Sequence, residues 1–304
     1  DHIPKSMLVI GGGYIGLELG SVYAALGTNV SVVEMMPSLL PGADADLVKV
    51  LHQRIEKICK SIMLETTVKE LKAQKNGIKV HLEGKDAPAG DAVFEKVLVS
   101  VGRKPNSSDL GLENTLVEVN DKGFIVVDGT RRTAEASIFA IGDVTGEPML
   151  AHKASHEGRV AAETIAGHNV AFEPKAIPAV VFTDPEIAWC GLTESEAKAL
   201  SQKVSVAKFP WGASGRAKTL GRSDGLTKLV IDPENEQVLG VGIVGPGAGE
   251  LIAEGVLAIE MGAVVADIKL SIHPHPTLSE TIMESAEVFF GQATHIYRPR
   301  RRQA

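Results

Sequence analysis

The stretch MLVIGGGYIG, Met7 to Gly16, decides how this chain is read. Met7 to Ile10 is a short unbroken apolar run, the composition of a strand buried on both faces of a parallel sheet. Gly11, Gly13 and Gly16 follow in GxGxxG spacing. Apolar residues at Ile15, Leu19, Val22 and Leu26 then recur at helical intervals, with Gly27 placed to end the helix. That spacing carries weight only between a strand and a helix, and here it lies between them. Gly11 permits the tight turn, Gly13 lets the backbone approach an anion, and Gly16 lets helix and sheet close up. The helix N-terminus offers N–H groups and a partial positive charge to a pyrophosphate, so the whole loop, Gly12 and Ile15 included, is a candidate cofactor contact.

Outward from the loop, Val30 to Val33 reads as a second strand ending at Glu34. A carboxylate at that place accepts hydrogen bonds from an adenosine ribose and repels a 2′-phosphate. No arginine occurs from Met35 to Leu51 to hold such a phosphate, so NAD is expected rather than NADP. The blander reading is a structural turn with a solvated Glu34. A helix over about Asp44 to Lys60 and a strand over Ser61 to Leu64 complete a βαβαβ unit. Right-handed crossovers then make a doubly wound sheet.

Beyond it the period changes. Val68 to Leu71 and Ile78 to Leu82 alternate apolar with polar and meet near Asn76-Gly77, a hairpin signal. VLVSV, Val97 to Val101, returns to a buried parallel strand. The region from about Leu110 to Gly167 is expected to hold a strand, the phrase FAIGDV and a helix from about His152 to Ile165; His152 and His156 read as helix-surface residues. After Pro174 the texture is that of antiparallel sheet, with strands near Val180–Phe182, Val204–Phe209, Lys228–Ile231 and Val238–Val244. Thr193 to Glu196 is a capping box. GPGAGE, Gly245 to Glu250, lacks the GK[ST] ending of a phosphate loop and reads as a turn into a helix.

Bulk properties exclude several function classes. With 38 acids against 31 bases the net charge is −7, which does not favour nucleic acid as a partner. The basic cluster Arg298 to Arg302 reads as a frayed tail. No apolar run approaches the roughly 18 residues of a membrane span. Cys59 and Cys190 form neither a disulfide framework nor a metal set, and read as small buried hydrophobes. The opening residues have no signal-peptide layout and run directly into a strand, as expected of a chain that starts at an interdomain linker.

HPHPTLSE, His273 to Glu280, frames two imidazoles with prolines and sets a carboxylate five residues after the second. An imidazole titrates near neutral pH and can take a proton from a thiol, whose ordinary pKa is about 8.5. Glu280, in the first turn of a helix expected to open at Thr277, can fix its tautomer. His273 reads as supporting structure. The alternative is a rigid helix entry with solvent-facing histidines.

Taken together, GGGYIGLELG, VVEM, VGRKPN, FAIGDV, PMLAHKASHEG and HPHPTLSE, in that order, resemble the flavoprotein disulfide reductases, a pyridine nucleotide-disulfide oxidoreductase family. The likeness runs from about Ile3 to Val288 and leans toward the branch that oxidises dihydrolipoamide. It implies an α/β architecture: a Rossmann-like doubly wound NAD domain (1–110), the remainder of an FAD domain (111–173) and a C-terminal α+β dimerisation domain with antiparallel sheet (174–304). It places Gly102 where a loop closes over the dinucleotide and Val68 beside the adenine. Asp143 would accept bonds from flavin ribityl or ribose hydroxyls, and Met149, Leu150 and Ala151 would precede a helix facing the isoalloxazine. Glu18 would lie near the flavin–nicotinamide junction, and Tyr14 would gate the flavin or simply pack its helix.

The resemblance also makes His275 the acid/base toward a thiol, with Glu280 as its partner, acting in the other subunit of a homodimer. FAD and NAD are the implied cofactors and no metal is implied. The implied partners are lipoyl domains of 2-oxoacid dehydrogenase or glycine cleavage complexes, in a bacterial cytoplasm or a mitochondrial matrix. The family's CxxxxC redox pair and the first flavin-binding motif do not occur in these residues. The chain by itself is therefore expected to be inactive. Rival readings are another NAD(P)H-dependent disulfide reductase and a non-catalytic NAD-binding and dimerisation module.

Overall fold

A computed structural model describes residues 2–296, and the basic tail beginning at Arg298 lies outside the described residues. The chain divides into two compact units, Gly102–Ile177 and, together, Asp1–Val101 with Pro178–Ala304.

The larger unit begins with β1 (Ser6–Ile10), α1 (Tyr14–Ala25), β2 (Asn29–Val33), α2 (Ala45–Ile58) and β3 (Ser61–Met63), the βαβαβ unit the sequence pattern implies. A hairpin of β4 (Thr66–Gln74) and β5 (Gly77–Gly84), then β6 (Ala92–Phe94), precedes β7 (Lys96–Val99). The parallel sheet runs β3-β2-β1-β7, and β4-β5-β6 form a separate antiparallel sheet. Alternation along β1 explains the layers. Met7 and Val9 pack with Leu17, Leu47 and Leu51 under the helices, whereas Leu8 packs with Val33, Val80, Leu82 and Phe94 against the hairpin sheet. Each such burial is worth about 1.5–3 kcal/mol. Gly77 is required at the hairpin, since at φ 133° its Cβ would lie 2.5 Å from the Phe94 carbonyl oxygen.

The unit Gly102–Ile177 contains short 3-10 turns at Leu112–Asn114 and Gly142–Thr145, followed by α3 (Ala151–Ile165). The strand expected between Leu110 and Gly167 does not form; among the described residues only the isolated bridges Val119–Ile125 and Arg132–Phe139 occur there. The backbone is satisfied locally instead. Asp128 Oδ1 accepts the N–H groups of Thr130 and Arg132, the side-chain competition that aspartate characteristically offers to a ladder.

The larger unit resumes with β8 (Ala179–Val181), β9 (Ile187–Gly191), α4 (Glu194–Ala199), β10 (Ser205–Pro210), α5 (Gly215–Thr219), β11 (Leu226–Ile231) and β12 (Val238–Val244). It ends in α6 (Ala248–Met261), α7 (Val265–Leu270) and α8 (Glu280–Phe289). The strands form an antiparallel sheet in the order β10-β11-β12-β9-β8. The capping box is formed as the sequence suggests: Thr193 Oγ1 accepts from Glu196 N at 3.1 Å, and Glu196 Oε2 accepts from Thr193 N at 2.9 Å. GPGAGE is the turn into α6, with Gly247 as its N-cap. Core residues of this sheet, Val181, Ile187 and Val244, share one hydrophobic cluster with β1, β2, α1 and α2.

Candidate active site

The glycine loop closes as its spacing demands. A Cβ at Gly16 would lie 2.2 Å from the Gly11 carbonyl oxygen, and one at Gly11 2.5 Å from the Ser100 carbonyl oxygen. A Cβ at Gly13, the N-cap of α1, meets no atom within 4 Å, and no side chain caps that helix. Open space at an uncapped helix N-terminus fits a pyrophosphate. Glu34 is not solvated, contrary to the blander reading. It is buried, its Oε2 accepting Gly12 N at 2.7 Å and its Oε1 accepting Met36 N at 2.8 Å. It therefore ties the glycine turn to the end of β2, and its oxygens keep lone pairs for a ribose hydroxyl.

Tyr14 packs half-buried against the main core, while Ile15 in the same turn is exposed. Glu18 accepts the backbone N–H of Phe182 at 2.8 Å, which joins α1 to the end of β8. Val68 lies on β4, paired with Leu82 beside a register shift.

In the smaller unit, Asp143 sits in the turn Gly142–Thr145 with its carboxylate half-exposed, 3.0 Å from Arg103 Nη1. Arg103 also donates to the Met149 carbonyl oxygen. Leu150 is the N-cap of α3 and offers no side-chain cap, and Ala151 is exposed at its first position. A half-exposed carboxylate near an uncapped helix start fits the hydroxyl-bearing chain of a flavin and the negative charge of its reduced ring. Gly102 has φ 105°, with open space where a Cβ would be.

His275 and Glu280 are brought together. His275 Nδ1 is 2.9 Å from Glu280 Oε1, and Glu280 Oε2 accepts Thr277 N at 2.7 Å. The helix begins at Glu280 rather than at Thr277: the residues before it form tighter i→i−3 turns, with Thr281 N bonded to the Leu278 carbonyl oxygen and Ile282 N to that of Ser279. Burial works to raise the Glu280 carboxyl, but the Thr277 N–H and His275 outweigh it and hold it below its ordinary value. An ionised carboxylate only accepts, so Nδ1 carries the proton and Nε2 is the nitrogen left to react. The imidazole is largely exposed and the His275-Pro276 bond is cis. His273 is buried, with Nδ1 and Nε2 engaged by the Ser271 carbonyl oxygen and Glu254.

Two features escaped sequence reasoning. Lys228 is 1% exposed, and its ammonium reaches Asp44 at 2.6 Å, Asp46 at 2.9 Å and Glu194 at 2.7 Å. Lys208 adds bonds to Asp46 and Glu194, and Asp44 also accepts the N–H groups of Glu194 and Ser195. The three acids have the closeness of a metal set, but an ammonium already sits among them. The second feature is a fully buried Glu157 bonded to Arg131, Lys153 and Gly142 N. The available signal was a charged residue at an inward position of its element: Lys228 within LTKLVI, and Lys153, Glu157 and Ala161 on one helical stripe. Burial pushes the Cys59 thiol up to about 11 and the Cys190 thiol up to about 12, so neither is a poised nucleophile.

Comparison with known proteins agrees with this geometry. Residues 1–158 match the family model for pyridine nucleotide-disulphide oxidoreductases, and residues 177–286 match that family's dimerisation domain. A dihydrolipoyl dehydrogenase of Vibrio parahaemolyticus is 51% identical over 295 residues, 97% of this chain and 62% of the relative. One from Thermus scotoductus is 48% identical over 97% of this chain and 64% of the relative. The chain thus spans somewhat under two thirds of these relatives. Among solved structures, LpdA from Mycobacterium tuberculosis superposes with a TM-score of 0.86 at 29% identity, covering 94% of this chain and 62% of that one. The HOCl-induced flavoprotein disulfide reductase RclA from Escherichia coli superposes at 0.84 with 26% identity, over 92% and 64%. With a glycine loop built for a dinucleotide, a histidine–glutamate pair and matching models over most of its length, the chain belongs to the pyridine nucleotide-disulphide oxidoreductase family.

Proposed function

We propose that this chain is the nucleotide-binding and dimerisation part of a dihydrolipoyl dehydrogenase. Residues 1–110 would bind NAD, 111–173 would contribute to the FAD site, and 174–304 would form the interface of a homodimer. The observation that carries the reading is the His275–Glu280 pair, joined at 2.9 Å with the glutamate ionised. A nucleotide-binding module has no use for such a pair. His275 Nε2 would take the proton of a dihydrolipoamide thiol, and the carboxylate at Nδ1 would stabilise the resulting imidazolium.

NAD would lie with its pyrophosphate at the N-terminus of α1, between Gly11 and Gly16, and an adenosine ribose hydroxyl at Glu34. That acid disfavours a 2′-phosphate, which separates this reading from an NADP-dependent disulfide reductase. Asp143 and the start of α3 would hold FAD, which when bound supplies the two-electron acceptor between dithiol and NAD. Lipoyl domains of 2-oxoacid dehydrogenase or glycine cleavage complexes would deliver the dithiol. The bacterial and archaeal relatives favour the cytoplasm over a mitochondrial matrix.

The test uses the full-length protein: lipoamide-dependent NADH formation, with His275→Gln alongside. The variant should lose about 10²–10⁴-fold in that rate, the range for a positioned acid/base. Electron transfer from NADH to an artificial acceptor, which needs no thiol proton, should stay within about twofold. Absence of dihydrolipoamide oxidation in the wild type, with FAD bound and the dimer formed, would sink the reading.

A further inference from the structure

We infer that Glu157 is a positioning residue for the flavin, holding the turn that presents Asp143; the inference rests on the flavin reading of Asp143 proposed above. Glu157 lies on α3 and its side chain is fully buried. Its Oε2 accepts the N–H of Gly142 at 2.6 Å. The Thr145 hydroxyl lies 3.4 Å from both carboxylate oxygens while donating to the Gly142 carbonyl oxygen at 2.8 Å. Gly142 and Thr145 are the two ends of the turn that contains Asp143; the carboxylate holds the Gly142 end directly, and the Thr145 hydroxyl ties the other end back to the same residue. Lys153, which pairs with Glu157 at 3.1 Å, also donates to the carbonyl oxygen of Gly146, the residue that closes the turn.

Three observations favour a positioning role over mere packing. First, the buried stripe of α3 carries Lys153 and Glu157 where a helix that only had to pack would carry apolar residues. Second, two cations, Arg131 at 3.0 Å and Lys153, converge on one anion, whereas one would neutralise it. Third, the backbone around the hub is bent to serve it. Arg131 sits at φ 68°, a left-handed conformation unfavourable for a side-chain-bearing residue. Gly142 sits at φ 79°, and a Cβ there would come within 3.1 Å of Ala154 Cβ. Strain such as that at Arg131 persists where the surroundings over-determine a geometry, and it gathers at ligand sites. Asp143 makes no bond to the hub among those described. Its carboxylate is set from the other side by Arg103, so Glu157 fixes the backbone of the residue and Arg103 its direction.

The experiment is a titration of the flavin-free, full-length protein with FAD, followed by flavin fluorescence and by the shape of the visible absorption band. Glu157→Gln keeps the shape of the side chain and removes its charge. FAD should bind at least tenfold more weakly, and the bound band should move toward that of free FAD, while far-UV circular dichroism of the flavin-free protein is unchanged. Unaltered affinity and band shape in a folded Glu157→Gln protein would overturn the inference and leave Glu157 as a packing residue. If that variant does not fold, Thr145→Val, which leaves the buried charges intact, decides the matter. Threefold or greater weakening supports the inference, and unchanged binding overturns it. A wild-type protein that binds no FAD overturns the flavin reading itself, an outcome distinct from failure of the Glu157 variant alone.

Discussion

At the scale of single residues, chemistry follows from which partner saturates which atom. Glu280 accepts two bonds, one from a backbone N–H and one from the imidazole, so its charge is committed to His275 Nδ1. Replacing it by glutamine leaves the Thr277 N–H with an acceptor but removes the charge that stabilises imidazolium. Glu280→Gln in the full-length protein should therefore lower lipoamide-dependent NADH formation by about tenfold or more, with unchanged thermal stability and unchanged NAD affinity. Equal rates in variant and wild type would remove the acid/base assignment. Gly16 gives the matching prediction for the nucleotide. The carbonyl oxygen 2.2 Å from its would-be Cβ belongs to the backbone and cannot swing aside. Gly16→Ala should therefore abolish measurable NAD binding by calorimetry. The cysteines give a negative one. With thiols raised by burial to about 11 and about 12, Cys59 and Cys190 should resist iodoacetamide at pH 8 in the folded protein. Both should label after unfolding, as mass spectrometry would record.

At the scale of elements, the ion cluster joins the N-terminus of α2 to α4, β10 and β11. Burial by itself would raise Asp44 and Asp46. The lysines and, for Asp44, the N–H groups of α4 outweigh it and hold both below the ordinary value of 3.8. Groups held below their unfolded value add stability that is present above that value and is lost as pH falls through the folded one. The melting temperature should accordingly be flat from neutral pH to about 5 and decline below about 4. Lys228→Met leaves the buried Asp44 without its counter-charge, while Asp46 and Glu194 keep Lys208, at a cost of about 3–5 kcal/mol in chemical denaturation. It should also move the onset of the acid decline to higher pH, because the cation that lowers Asp44 is gone and Asp46 keeps only Lys208. A variant as stable as wild type would show that the cluster is solvated in solution.

At the scale of the whole molecule, no helix among the described residues is long and apolar enough to cross a membrane. Yet large side chains stand in water on one stretch of chain: Leu257 and Met261 on α6, Leu270 at the end of α7, and Ile272, which is 98% exposed. Ile272 directly precedes the segment that carries His275. Exposed apolar groups of this size mark an interface, and the family model over residues 177–286 is that of a dimerisation domain. Ile272→Asp in the full-length protein should shift sedimentation from dimer toward monomer and reduce lipoamide turnover, while NAD binding persists. An intact, active dimer would relocate the interface. The 304 residues taken alone should show no such turnover, since their two cysteines, Cys59 half-buried at the end of α2 and Cys190 buried in β9, stand apart and cannot serve as a redox pair.

Much of this protein could be read from short-range pattern. The strand–glycine–helix of residues 7–25, the Asn76-Gly77 hairpin, the Thr193–Glu196 box and the His275–Glu280 pair all involve partners within a few residues, where periodicity and turn chemistry act directly. Other features depended on what the fold brings near. Glu34 could be read from the sequence as an acid placed for a ribose, but that it also holds the glycine turn, by accepting Gly12 N across 22 positions of sequence, came only with folding. The expected strand between Leu110 and Gly167 formed only isolated bridges, and side chains such as Asp128 took up its backbone N–H groups instead. Lys228 meets Asp46 across 182 positions, and Arg131 meets Glu157 across 26. Local sequence determines which backbone shape each segment prefers and which face is apolar. Whether a charge on a buried face finds its counter-charge depends on segments distant in the chain, and only the tertiary structure decides that.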